Sequence, residues 1–93
     1  MEKVKVEGSK KDKKVFLYTL STCGWCKKTK DFLKENEIEY EYIDVDKCSR
    51  DEQKEIIQEL RDKKVPAAFP VIMIDDKTIS GFKEKQLLKE LNL

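Results

Sequence analysis

A chain of 93 residues bounds the answer to a single domain with a modest core. Charged residues make up 42% of it, yet the signs nearly cancel at a net +1, which is too neutral for a protein built to hold nucleic acid. The longest apolar run, Pro70 to Ile74, is far too short to span a membrane, and no secretory apolar stretch opens the chain. Three cysteines, an odd number, suit a reducing compartment better than a disulfide-stapled secreted fold. The expectation is a monomer of the cytoplasm.

In chain order, residues 1–14 read as a charged N-terminal segment and residues 15–93 as the domain proper. Val4 and Val6 alternate with Lys3, Lys5 and Glu7, the pattern of a short edge strand, and Gly8 to Lys14 reads as a solvated loop. Val15 to Leu20 is short, unbroken and rich in β-formers, so it is a buried strand. A helix follows from Cys23 to about Asn36, with Trp25, Cys26, Thr29, Phe32 and Leu33 at helical spacing. Ile38 to Tyr42 alternates strictly, which predicts a half-exposed strand with Ile38, Tyr40 and Tyr42 inward. A right-handed crossover pairs it in parallel with the first strand. Ser49 and Glu52 match a capping box and start a second helix with a thin apolar face of Ile56, Ile57 and Leu60. Pro70 to Ile74 is a buried strand, Asp75–Asp76 a tight turn and Lys77 to Ser80 the returning edge strand of a hairpin. Gly81 closes the hairpin, and a last helix from about Lys83 to Asn92 buries Leu87, Leu88 and Leu91.

The chemistry gathers at Cys23-Gly24-Trp25-Cys26, where the buried strand gives way to the helix. A C-x-x-C at such a junction is the sequence form of a thiol–disulfide centre. The first helical N–H groups have no intrahelical acceptor, and they favour a thiolate at Cys23. Lys27 and Lys28 add positive charge nearby and are assigned to tuning that thiol. Cys23 is then the attacking thiol and Cys26, one turn deeper, the resolving one. Gly24 gives the backbone room to turn, and Trp25 can cover one side of the pair. The rival is half of a structural zinc site. That reading lacks ligands, since the chain has no His, no second C-x-x-C and one further cysteine, Cys48. Cys48 precedes the second helix and is read as a small packing residue. No cofactor and no metal site are expected.

Three local features, Cys23-Gly24-Trp25-Cys26, Phe69-Pro70-Val71 and Ser80-Gly81-Phe82, together with the order βαβα then ββα, resemble the glutaredoxin branch of the thioredoxin fold over residues 15 to 92. The resemblance implies an α/β thioredoxin-like architecture with a four-stranded mixed sheet, order 2-1-3-4, and three helices. It implies a cis-proline at Pro70 facing the cysteines, and a substrate-binding surface from Trp25, Phe69, Pro70, Gly81 and Phe82. The activity implied is reduction of disulfides, on protein partners, with Cys23 and Cys26 exchanging as a dithiol and an upstream reductase or small thiol restoring them. The alternative is an iron–sulfur carrier, since relatives with one active-site cysteine hold a shared cluster; Cys26 argues against it. Glutathione-using members carry a cation three residues before the first cysteine, where Leu20 stands. They also carry an acidic or small polar residue after the turn that ends in Phe82, where Lys83 stands. Glutathione is therefore a doubtful donor. Ser80-Gly81-Phe82 looks more like the redoxins that reduce ribonucleotide reductase.

Overall fold

The computed structural model describes residues 3–93, and the strand Val15–Thr19 (β2) lies at the centre of its sheet. Around it come Val4–Val6 (β1), Gly24–Glu35 (α1), Tyr40–Asp44 (β3), Arg50–Asp62 (α2), Val71–Ile74 (β4), Lys77–Ser80 (β5) and Glu84–Glu90 (α3). A single turn of 3₁₀ helix, Val45–Lys47, joins β3 to α2. The sheet order is β1-β3-β2-β4-β5, with β2 and β3 parallel and every other neighbour antiparallel.

Alternation along the strands splits the core in two. Val15 and Leu17 of β2, Tyr40 of β3 and Ile72 and Ile74 of β4 meet Leu33 of α1 and Leu87 and Leu91 at α3. On the opposite face Tyr18, Ile43 and Val71 meet Ile56 and Leu60 of α2. A period of two puts successive side chains on opposite faces, so a strand covered on both faces must be apolar throughout. Leu17, Leu33, Ile72 and Leu87 are all completely buried. Each such side chain contributes about 1.5–3 kcal/mol relative to exposure. Tyr18 also donates its hydroxyl to Glu59 at 2.8 Å, which ties α2 to β2.

The expected four-stranded sheet is corrected to five. Val4, Lys5 and Val6 pair antiparallel with Tyr42, Glu41 and Tyr40, so the N-terminal segment covers an edge of β3 that would otherwise leave its amides and carbonyls unpaired. The four strands foreseen keep their relative order inside the larger sheet. Met1 and Glu2, the first residues of that segment, lie outside the described residues. The stretch read as a solvated loop also does more than connect. Lys10 donates its amide to the Glu37 carbonyl and accepts from the Glu39 amide, at 2.9 and 3.0 Å. Gly8 permits this approach. A Cβ there would stand 2.6 Å from the Glu37 oxygen and 2.7 Å from the Glu39 nitrogen, closer than side-chain carbons come to backbone.

Element ends moved by a residue or two. Helix α1 starts after Cys23, which caps it, and ends where Glu37 takes a φ of 59°. That turn delays β3 to Tyr40, leaving Ile38 buried in a single bridge to Lys10. Tyr42 is only half-buried instead of facing fully inward. The capping box at Ser49 and Glu52 is present as read. Helix α3 is shorter than expected, and Leu88 is half-buried beside the buried Leu87 and Leu91.

Gly8→Ala tests the edge strand. The added methyl must displace backbone, so stability should fall by about 1–3 kcal/mol, or roughly 4–8 °C in Tm per kcal/mol for a domain of this size. Gly24→Ala, with nothing within 4 Å of the new Cβ, should leave Tm unchanged or raise it. Thermal unfolding followed by circular dichroism measures both, and equal melting of the two variants would contradict the close packing at Gly8.

Candidate active site

The site is assembled at the C-terminal end of β2. After Thr19 the chain turns, with the Cys23 amide donating to the Leu20 carbonyl at 3.1 Å, and α1 begins. Cys23 is extended, at φ −85° and ψ 119°, and it is the helix N-cap. Its sulfur accepts the Cys26 amide N–H at 3.2 Å, the place where a Ser or Asp oxygen usually sits. An anionic sulfur there would be held by the unpaired N–H groups and positive end of the helix. Both cysteines are free thiols.

The two sulfurs are not equivalent. Cys23 is partly exposed, whereas Cys26 is completely buried. Burial, and then its hydrogen bond with Cys23, push the Cys26 thiol up to about 12; a backbone bond at Leu20 and the charge of Lys30 pull the other way.

Trp25 and Phe82 come together from distant parts of the sequence. Trp25 is 58% exposed and stacks on Phe82, with centroids 5.9 Å apart and planes at 24°. Phe82 in turn meets the edge of Phe32. Lys28 holds its ammonium 5.0 Å above the Trp25 ring and 5.9 Å from that of Phe82. The Phe69–Pro70 bond is cis, and Pro70 is buried. Register places Val71 opposite Tyr18, which sets Pro70 at the same end of the sheet as the Cys23 turn. The Pro70 carbonyl accepts from the Gly81 amide at 2.7 Å, and Gly81 has a φ of 82° that glycine adopts without strain. Ser80 donates its hydroxyl to the Pro66 carbonyl at 2.9 Å, so the segment before Pro70 is tied to β5. Phe69 packs instead on the α2 face, beside Leu20 and Val65.

The lysines assigned to thiol tuning have other partners. Lys27 is bonded to Asp31 at 2.9 Å on an exposed face, and Lys28 lies over the aromatic pair. The lysine whose charge favours ionisation of Cys26 is Lys30, which the sequence pattern alone does not single out. Its spacing of four from Cys26 was the available signal. Two carboxylates, one ending β3 and one just beyond it, were also missed. Asp44 accepts the Thr19 hydroxyl at 2.6 Å and the Lys30 ammonium at 3.3 Å. Asp46 accepts the Ser21 amide at 2.8 Å and its hydroxyl as well, and those two bonds hold its carboxyl below its ordinary range. The turn that carries Cys23 is thereby anchored to the end of β3. Cys48 is half-buried on the α2 face, its thiol donating to the Asp44 carbonyl at 3.6 Å; burial and then the Glu52 carboxylate push that thiol up.

Known proteins agree with this architecture. The glutaredoxin family profile matches residues 15–79. The glutaredoxin-like protein NrdH of Lactococcus lactis is 36% identical over 75 residues, covering 81% of this chain and 96% of that protein. Among solved structures, the glutaredoxin of Methanosarcina mazei superposes with a TM-score of 0.80 at 38% identity, over 98% of this chain and 88% of that one. The glutaredoxin-like NrdH-redoxin of Escherichia coli, a protein with a thioredoxin-like activity profile, gives 0.68 at 25% identity over 82% and 92%. With the thioredoxin fold, a C-x-x-C at the start of α1 and a matching profile over most of its length, the chain belongs to the glutaredoxin family.

Proposed function

We propose that this protein reduces disulfides on protein partners by dithiol exchange in the cytoplasm, with Cys23 attacking and Cys26 resolving. One observation carries the reading: a partly exposed sulfur at a helix N-cap, accepting the amide of a wholly buried second cysteine. Only the outer sulfur is open to a partner, and the inner one is held within a turn of it. In the first step the Cys23 thiolate attacks one sulfur of the partner disulfide, giving a mixed disulfide and releasing the other partner sulfur as a thiolate. In the second, Cys26 attacks Cys23 and the partner leaves fully reduced. The Trp25–Phe82 stack offers the apolar part of a partner surface a flat exposed face, and Lys28 above it favours a partner with acidic residues. Ala67 and Ala68, exposed residues just ahead of Phe69–Pro70, suit an extended partner segment.

The donor that restores the dithiol is an enzyme of the thioredoxin-reductase type or a small thiol other than glutathione. Glutathione has two carboxylates and an ammonium to satisfy. Leu20, where a cation would meet a carboxylate, packs into the α2-face core, and the exposed Lys83 would repel the ammonium. The thioredoxin-like activity profile of the Escherichia coli NrdH-redoxin supports this choice of donor.

Substitution separates the two thiols. Cys23→Ser should abolish reduction of an insulin-type disulfide, and Cys26→Ser should accumulate a covalent adduct with substrate that mass spectrometry detects. Adduct trapped by Cys23→Ser instead would reverse the roles. Cys48→Ala should leave turnover within about twofold, under ~0.5 kcal/mol of barrier; loss of most activity would bring Cys48 into the reaction. For the donor, the comparison is turnover with glutathione and its reductase against turnover with a thioredoxin reductase system. Each charge-assisted bond is worth roughly 1.5–3 kcal/mol, so two losses should weaken glutathione on the order of a hundredfold or more. Glutathione turnover equal to or faster than the reductase system's would falsify that preference.

A further inference from the structure

Cys26 and Lys30 stand one turn apart on α1, and both point toward the sheet. Cys26 is completely buried, and the Lys30 side chain is only 22% exposed. Lysines seldom leave solvent without a partner, and here two contacts account for it. The ammonium lies 3.3 Å from Asp44 Oδ1 and 3.8 Å from the centroid of the Tyr42 ring. The same Asp44 oxygen accepts the hydroxyl of the fully buried Thr19 at 2.6 Å, which also donates to the Ile43 carbonyl at 3.3 Å. Residues of β2 and β3 thus hold the ammonium of a lysine that stands one helical turn from the resolving cysteine. The other lysines of the helix's first turns cannot stand in for it, because Lys27 is bonded to Asp31 and Lys28 lies over Trp25.

We propose that Lys30, held by Asp44 and Tyr42, is a positioning residue for the second half of the exchange: its ammonium supports the thiolate form of buried Cys26 as that sulfur attacks Cys23. The inference rests on the dithiol reading above and adds to it the group that makes the buried thiol reactive. In this step the Cys26–Cys23 S–S bond forms and the bond from Cys23 to the partner sulfur breaks. The electron pair leaves on the partner sulfur, and the proton given up by Cys26 ends there through solvent. Over the two steps together the pair is oxidised by two electrons and the partner disulfide reduced by two, with no other reactant.

The charges around Cys26 explain why the step waits its turn. Among the described residues, Cys23 and Lys30 of α1 are the titratable groups acting on it, with Asp44 and Tyr42 of β3 acting through Lys30. Burial and a charge on Cys23 both oppose a second thiolate. Once Cys23 is tied in a mixed disulfide it carries no charge, and its part of that opposition ends while burial remains. The pull of Lys30 remains.

The test is stopped-flow reaction of the reduced protein with one equivalent of an aromatic disulfide, bis(3-carboxy-4-nitrophenyl) disulfide, across a range of pH. A Cys48→Ala background leaves only the active-site pair to report. The first coloured thiol released measures attack by Cys23, and the second measures resolution by Cys26. Lys30→Gln keeps a hydrogen-bond donor for Asp44 and removes the charge. It should move the pH profile of the second release upward on the order of one unit. At neutral pH the second release should slow only roughly threefold, because a tenfold loss of thiolate is partly offset by its greater nucleophilicity. The first release should be unchanged, Lys30→Met should behave as Lys30→Gln does, and Lys30→Arg should restore the original profile. An unmoved second profile overturns the proposal, as does equal slowing of both releases or a failure of Arg to rescue. Absence of any first release in the parent protein would instead overturn the dithiol reading itself.

Discussion

Burial of β2 on both faces places everything that stands at its C-terminal end. Val15 and Leu17 face the layer under α1 and α3, Tyr18 faces the layer under α2, and the strand pairs on both edges. A strand so enclosed has almost no freedom of register, since a slip of one residue would turn each apolar side chain to the wrong layer. The residues that follow Thr19 inherit that rigidity. Ser21 and Thr19 extend it sideways by bonding to Asp46 and Asp44, so the turn that presents Cys23 is attached at two points to the end of β3. Thiol exchange requires sulfurs to meet along a line, and a fixed turn lowers the cost of that alignment.

Within this frame the difference between the two thiols comes from depth. A single helical turn separates Cys23 from Cys26, yet it takes the sulfur from partial exposure at a helix start into a dry core. The core resists a charge at the second position, and the first stands outside that core. The order of events in a dithiol exchange follows from that contrast. A buried thiol too reluctant to ionise would stall such an exchange, and in the proposal above the ammonium of Lys30 is the counterweight.

The exposed aromatic side of the site is built by different means. Trp25 projects from the first turn of α1, but its orientation is set by Phe82, from the turn before α3, and by Phe32 behind it. The Gly81 turn and its bond to the Pro70 carbonyl bring that aromatic group to the cysteine end of the sheet. Leu20 shows how packing and recognition compete for one position. Its side chain joins the α2-face cluster with Phe69 and Val65, which strengthens the core and leaves no cation there for a carboxylate.

Much of this was legible in the chain itself. Hydrophobic period placed β2, α1, the β4–β5 hairpin and the two later helices, and the capping box marked the start of α2, because each of these signals lies within a few neighbouring residues. The spacing of Cys23 and Cys26 after a buried strand marked the candidate site for the same reason. Long-range pairing was not legible. Val4 to Val6 carried the pattern of a short edge strand but nothing to say that β3 would receive it, and the close pass at Gly8 depends on the backbone of Glu37 to Glu39. Lys27, Lys28 and Lys30 are alike as letters. Only the tertiary structure distinguishes them, by turning the first two toward solvent and the third toward Asp44 and Tyr42, because a charge acts through the groups that surround it in space.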